Sequence, residues 1–189
     1  MVTFGGPAVM LLGAVLAGVV LAGAAALVAR RTGAVFAFSA AGFAWWVVVI
    51  ALVTLVPANG SPGWVAAGMR ADTCSFDVGG PAPDGFWIFD GGQRLLNTAL
   101  FVPAGALGAL AACRWRAGWG LVPLVAAGLA LYSVGIEWTQ LELARIDRAC
   151  DVTDVIDNAT GAALGAAGGV LLAVVLRPWR ARRPDGPAR

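Results

Sequence analysis

Long uncharged apolar stretches alternate with short polar ones along the 189 residues of the chain. A helix needs roughly 20 apolar residues to cross the hydrocarbon core of a bilayer. Five stretches reach or approach this length, from about 7 to 28, 35 to 56, 95 to 112, 118 to 138 and 155 to 176. Because lipid offers the backbone no hydrogen-bond partner, we predict an all-α fold, a polytopic bundle of about five transmembrane helices.

This pattern divides the chain into four regions. Residues 1–56 form two N-terminal transmembrane helices, and 57–94 form an extracytoplasmic loop. A three-helix region covers 95–176, and a basic cytoplasmic tail covers 177–189. The first apolar stretch has no Lys or Arg before it, so we interpret it as a retained helix rather than a signal peptide.

Composition agrees with a membrane protein and excludes several other classes. The chain is 59% hydrophobic and only 13% charged, with a net charge of +2. The small net charge does not favour nucleic acid as a partner, and membrane lipid is the expected one. The sequence has no His, the commonest transition-metal ligand and neutral-pH base. We therefore expect no metal and no cofactor, and any acid–base chemistry must come from carboxylates.

Arginine placement predicts the orientation. Arginines follow the first and third apolar stretches and fill the tail, whereas the stretches 57–94 and 137–157 hold most of the acidic residues. By the positive-inside rule, the N-terminus lies outside a bacterial cell membrane and the C-terminus lies in the cytoplasm.

The same topology separates the three cysteines. Cys113 falls inside, whereas Cys74 and Cys150 fall in the two outer loops. An oxidising compartment permits a disulfide between the outer pair, but sequence does not supply the geometry. A disulfide and two unpaired small residues both stay open.

A polar layer is predicted at the outer ends of the last three helices. Counting residues of rise from each helix end puts Asn97, Glu137 and Asn158 at one depth. Five further polar residues lie just above them: Arg94, Gln140, Arg148, Asp151 and Asp154. Ionisable groups at membrane depth are costly and are functional candidates by default.

Small residues form helix-packing stripes beneath this layer. Gly161, Gly165 and Gly169 recur at four-residue spacing on the last helix, and Gly105 lies on the third. Such glycines permit close helix approach, either within one bundle or across a homo-oligomer. Pro103 should kink the third helix or open its backbone locally.

The polar layer has two open interpretations. In the functional one, Arg94 and Arg148 bind a phosphate or carboxylate, and Glu137, Asp151 or Asp154 act as acid, base or cation ligand. In the structural one, Arg148 pairs with Asp151 or Glu137 and the asparagines cap helix ends. Asp154 is the predicted N-cap of the last helix.

Two motifs in this region resemble those of the VanZ-like membrane proteins. One is "NTALFVPAGALGAL" from Asn97, and the other is "EWTQ" followed by "RACDVTDVIDNATGAALG". The matched positions are Asn97, Phe101, Pro103, Gly105, Glu137, Gln140, Arg148, Asp151, Asp154, Asn158, Gly161 and Gly165. The motifs extend from about Arg94 to Leu176.

The resemblance implies a polytopic membrane protein and carries no biochemical mechanism. Its founding member is linked to low-level resistance to the glycopeptide teicoplanin. Our leading hypothesis is a cell-envelope accessory protein that binds an anionic ligand, such as a lipid-linked envelope precursor, through Arg94 and Arg148. The alternatives are a membrane-embedded enzyme that uses carboxylates on such a substrate, and a small transporter. Whether the protein is an enzyme stays open.

Overall fold

A computed structural model describes residues 5–57, 73–78, 92–115, 117–143 and 150–182. The described helices are α1 (Pro7–Thr32), α2 (Ala34–Leu55), α3 (Gly92–Ala112), α4 (Gly118–Leu143), α5 (Val152–Leu176) and a 3-10 helix (Pro178–Arg182). All five α-helices are long and apolar enough to cross a membrane. The predicted all-α fold is confirmed.

Helix ends extend beyond the apolar stretches that predicted them. Helix α3 begins at Gly92, α4 continues to Leu143 and α5 begins at Val152. Apolar length predicts the hydrocarbon crossing, whereas a helix continues for as long as its backbone and polar side chains find partners. Arg94 and Gln140 are therefore helical. Helix α3 is also continuous through Pro103.

Helices α1 and α2 form a hairpin around a single glycine. Gly33 ends α1 and begins α2, and its φ of 87° favours glycine at that position. The indole Nε1 of Trp45 donates to the carbonyl of Ala14 at 2.7 Å. Helix α1 packs mainly against α2, so most of its leucine and valine side chains face outward, as expected for a lipid-facing helix.

Helix α2 is joined to the rest of the bundle by aromatic side chains that donate to backbone carbonyls. Trp46 donates from Nε1 to Leu100 of α3 at 2.6 Å, and Tyr132 of α4 donates to Val47 at 2.9 Å. Phe101 is fully buried at the centre of this region. These bonds fix α2, α3 and α4 around one apolar core.

Helices α3 and α5 run in parallel and share the closest approach in the bundle. A Cβ at Gly165 would lie 2.8 Å from the carbonyl carbon of Val102 and 2.9 Å from its Cα. The pairs in contact advance four residues at a time on both helices: Thr98 with Gly161, Val102 with Gly165, and Ala106 with Gly169. Gly105 of α3 meets the backbone of Ala162 and Ala166. The stripe thus packs inside the bundle.

Charges separate to the two ends of the described bundle. We call one the acidic end, which carries Asp77, Glu137, Glu142, Asp151, Asp154 and Asp157. We call the other the basic end, which carries Arg30, Arg31, Arg114, Arg177 and Arg180. Among described arginine side chains, Arg94 alone lies at the acidic end. Every predicted polar-layer residue that the structure describes is at this acidic end.

Candidate functional site

A buried ion pair joins α3 to α5 at the acidic end. Arg94 donates from Nε to Asp157 Oδ2 at 2.9 Å and from Nη2 to Asp157 Oδ1 at 2.8 Å. The Asp157 side chain is 0% exposed and that of Arg94 is 11% exposed. Asp151 and Asp154 add negative charge near the guanidinium. Arg94 therefore ties two helices together, and its predicted contact with a ligand stays a prediction.

Asp157 was missed by the sequence reasoning, although its spacing carried a signal. It precedes Gly161 by four residues, as Gly161 precedes Gly165, so it continues the stripe of α5 that faces α3. The ion pair also continues the register of the glycine contacts, with Arg94 four residues before Thr98. A stripe extended by one more turn would have paired Asp157 with Arg94.

Glu137 and Asp151 are both engaged in holding the start of α5. Glu137 is 4% exposed, and its Oε2 accepts from the backbone N–H of Asp151 at 3.0 Å. Asp151 is the N-cap residue of α5, since its Oδ1 accepts from the N–H of Thr153 at 2.8 Å. Two of the three carboxylates predicted as catalytic candidates thus make structural hydrogen bonds.

The prediction that Asp154 caps α5 is wrong. Helix α5 begins at Val152, one turn earlier than the apolar pattern suggested, and Asp151 takes the capping position. Asp154 lies in the first turn instead, where a carboxylate is favoured by the positive end of the helix dipole. The error arose because the apolar stretch begins only after the first helical turn.

Gln140 joins the C-terminal part of α4 to the C-terminal end of α2. Its Nε2 donates to the backbone carbonyl of Thr54 at 3.0 Å, and its side chain is buried. The hydroxyl of Thr54 donates to Ile50 within α2 at 2.7 Å. Gln140 is therefore a bridge between helices in this structure.

Residues 73–78, which we call the strap, lie across the start of α5. A disulfide joins Cys74 to Cys150, with Cα atoms 4.6 Å apart. The sequence left open whether these cysteines are bonded or unpaired, and in the structure they are bonded. Backbone hydrogen bonds link Ser75 to Cys150 at 2.9 Å and to Val152 at 3.0 Å. The hydroxyl of Thr153 donates to the carbonyl of Asp77 at 3.1 Å. The strap thus fixes the start of α5 covalently and by hydrogen bonds.

Two asparagines, which we call the amide pair, keep unsatisfied atoms inside the bundle. Asn158 donates from Nδ2 to Ser133 Oγ of α4 at 2.9 Å, but its buried Oδ1 has no hydrogen-bond partner among the described residues. The buried Nδ2 of Asn97 and Oγ1 of Thr98 likewise have none there. Neither asparagine caps a helix, contrary to the structural interpretation above. An unsatisfied buried donor or acceptor costs free energy, so these atoms are suited to an incoming polar group.

The level of the amide pair follows from helix register. Phe101 lies one turn from Asn97 on the same face of α3, and its ring is 6.5 Å from that of Tyr132 on α4. Ser133, which receives the Asn158 bond, is the next residue along α4. In the register set by the Arg94–Asp157 and Thr98–Gly161 contacts, Asn158 is level with residue 95 of α3, so Asn97 lies about 3 Å deeper than Asn158 along the bundle.

Two further points concern Arg148 and metal binding. Arg148 lies outside the described residues. Within the described part of the chain, no group of three or more His, Cys, Asp and Glu residues is arranged to hold a metal ion.

Five long apolar helices, with the buried charged side chains collected at one end, are the pattern of a polytopic α-helical membrane protein. The family model of VanZ/LLP1 matches residues 35–176, and the chain belongs to this family. The match includes α2, so the family region is longer than the motifs from Arg94 onward indicated, while α1 lies before it. No curated protein and no solved structure matches the chain significantly.

Proposed function

We propose that this protein is a cell-envelope accessory protein whose acidic end binds an anionic, lipid-linked ligand. The observation that carries the proposal is the amide pair: Asn158 Oδ1 and Asn97 Nδ2 are buried without a partner among the described residues. Most other polar-layer side chains have intramolecular partners. The amides are therefore the groups best able to accept a ligand without breaking an existing bond.

The chemistry of the amide pair suggests what part of the ligand it recognises. Asn158 Oδ1 needs a donor and Asn97 Nδ2 needs an acceptor, which a hydroxyl or amide group supplies together. Sugar and peptide headgroups carry many such groups. In this proposal, Arg148 binds the phosphate of the same ligand, and Arg94 keeps α3 and α5 in place through Asp157.

The proposed orientation puts the acidic end on the outer side of a bacterial membrane. The described charges support it, because the basic end carries arginines and no described carboxylate. The disulfide at the acidic end also supports it, since such bonds persist in oxidising compartments. An outward acidic end would meet ligands of the cell envelope.

Thiol labelling at the two ends of α4 tests the orientation. In a Cys113→Ala background with the disulfide retained, Glu142→Cys should react with a membrane-impermeant maleimide on intact cells. Trp119→Cys should react only after permeabilisation. Both positions are exposed and about 35 Å apart along the helix, more than the hydrocarbon thickness. Native Cys113 is removed for clarity, although burial raises the pKa of its thiol and slows its reaction. The reverse labelling pattern would place the acidic end in the cytoplasm.

Binding of purified lipid II by the protein in nanodiscs tests the ligand proposal, with undecaprenyl phosphate as the probe that lacks the sugar–peptide headgroup. We expect Asn158→Leu to weaken lipid II binding about tenfold, because one buried hydrogen bond is lost. The same change should leave undecaprenyl phosphate binding unaltered. Arg148→Ala should weaken binding of both lipids, since both carry phosphate.

Thr139→Val is the matched control, because the Thr139 hydroxyl donates only to Gly135 of its own helix and lies on the exposed side of α4. Equal lipid II affinity for wild type and Asn158→Leu would contradict the proposal. A link to teicoplanin resistance belongs to the same proposal and rests on family membership. Its readout is the teicoplanin susceptibility of a deletion strain that carries either wild type or Asn158→Leu.

A further inference from the structure

The basic end presents arginines that have no described counter-ion. Arg30, Arg31, Arg114, Arg177 and Arg180 form no ion pair with any residue in the described ranges. Arginines at the C-terminal ends of α1, α3 and α5 are favoured by the helix dipoles. That effect accounts for their positive charge and their position at helix ends, but it does not supply a partner for the buried Nη1 of Arg114, which has none among the described residues.

Among the described arginines of the basic end, Arg114 is the one that packs on an aromatic ring. Its guanidinium carbon lies 4.8 Å from the centroid of the Phe36 ring, a cation–π arrangement. Phe36 in turn packs edge-on against Trp115, with ring centroids 5.0 Å apart. The Nη1 atom of Arg114 is buried and has no hydrogen-bond partner among the described residues. A planar guanidinium has the fork of donors that suits phosphate oxygens.

The surroundings place Arg114 at the level of lipid headgroups. Side chains from α2, α3, α4 and α5 meet next to Arg114 in an apolar cluster that includes Leu110 of α3 and Ala173 of α5. Arg177 follows Ala173 by one turn, and its N–H donates to the Ala173 carbonyl at 2.8 Å. Trp119 is 61% exposed and belongs to the same end. Exposed tryptophans at the end of an apolar helix are typical of the membrane interface.

We propose that Arg114, supported by Phe36 at the end of the bundle that also carries Arg177, binds the phosphate of an anionic phospholipid of the phosphatidylglycerol type. Charge complementarity selects this occupant. Phosphatidylcholine has the same phosphate, but its ammonium group would meet a surface of arginines without described carboxylates. This site is at the opposite end from the amide pair, so it stands or falls independently of the proposed function.

Lipid binding by the purified full-length protein in detergent tests this site, with phosphatidylglycerol and phosphatidylcholine compared by native mass spectrometry. Wild type should bind phosphatidylglycerol more tightly. Arg114→Gln should weaken phosphatidylglycerol binding roughly fivefold, the effect of one arginine at a headgroup surface, and leave phosphatidylcholine binding unchanged. Arg30→Gln is the matched control, because Arg30 is an exposed arginine of the same end on the peripheral helix α1. It should have a much smaller effect.

If Arg114→Gln does not fold, Arg114→Lys replaces it in the test. This variant keeps the charge but loses the planar fork, and it should still bind phosphatidylglycerol more weakly than wild type. Unchanged phosphatidylglycerol affinity in the folded variant would overturn the proposal. If Arg30→Gln lowered the phosphatidylglycerol affinity as much as Arg114→Gln does, the proposal would also be overturned, because the total positive charge of this end rather than a site at Arg114 would then attract the lipid. Thermal protection by inorganic phosphate as strong as that by phosphatidylglycerol would overturn the assignment to lipid.

Discussion

We expect Gly165→Leu to destabilise the protein by about 3 kcal/mol or more, because the new side chain would enter the backbone of α3. A Cβ alone would lie 2.8 Å from the carbonyl carbon of Val102, and backbone atoms cannot move aside as a flexible side chain can. Helices α3 and α5 would have to separate. Thermal unfolding in detergent, followed by the loss of the monodisperse peak in size-exclusion chromatography, measures the effect.

Gly168→Leu provides the matched control on the same helix. A Cβ at Gly168 meets nothing within 4 Å, and the residue is exposed. Its replacement should leave the unfolding temperature nearly unchanged, because a leucine there would contact lipid. If both variants unfold at the same temperature, close packing of α3 against α5 would not be what makes Gly165 important for stability.

The second large effect concerns the Arg94–Asp157 pair. Asp157→Ala should cost about 3–5 kcal/mol, since it leaves a buried guanidinium without its carboxylate. Arg94→Met combined with Asp157→Leu should recover much of that loss, because apolar side chains of similar volume replace both charges. Unfolding of wild type, Arg94→Met, Asp157→Leu and the double variant in detergent, compared as a double-mutant cycle, gives the coupling free energy.

Glu142→Gln is the control for the ion pair, because Glu142 is an exposed carboxylate at the same end. It should unfold as wild type does. A contrary result would be an Arg94→Met variant that keeps its full stability but no longer binds lipid II. Arg94 would then be a ligand contact, as the sequence analysis first expected, rather than a helix tie.

The sequence predicted the five long apolar helices well, because the length and the apolar composition of a helix of this kind are visible in the sequence. Every predicted span corresponds to one helix, and the glycine stripe lies where four-residue spacing put it. The ends of the helices were less predictable, since they depend on tertiary partners. Asp151 rather than Asp154 caps α5. Glu137 and the strap bind the backbone next to Asp151, so the helix begins one turn before the apolar stretch does.

Partner choice in the polar layer was the part that sequence could not supply. Four arginines and ten carboxylates fall in the two polar stretches of the sequence, so many pairings are chemically equivalent. Arg94 finds Asp157 because α3 and α5 run in parallel with the glycines in register. Likewise, nothing in the sequence indicates that Ser133 accepts a hydrogen bond from Asn158, because that contact depends on the register of α4 against α5.

The disulfide between Cys74 and Cys150 has a consequence for biogenesis. Cys150 follows α4 in the chain, so the bond cannot form until the segments of the first four helices have been synthesised and both cysteines have reached the same side of the membrane. It closes a covalent ring that contains α3 and α4, with α5 beginning at its edge. Once the bond has formed, the start of α5 is tied covalently to the segment that precedes α3, so the two helices that share the glycine contacts enter the bundle from linked ends.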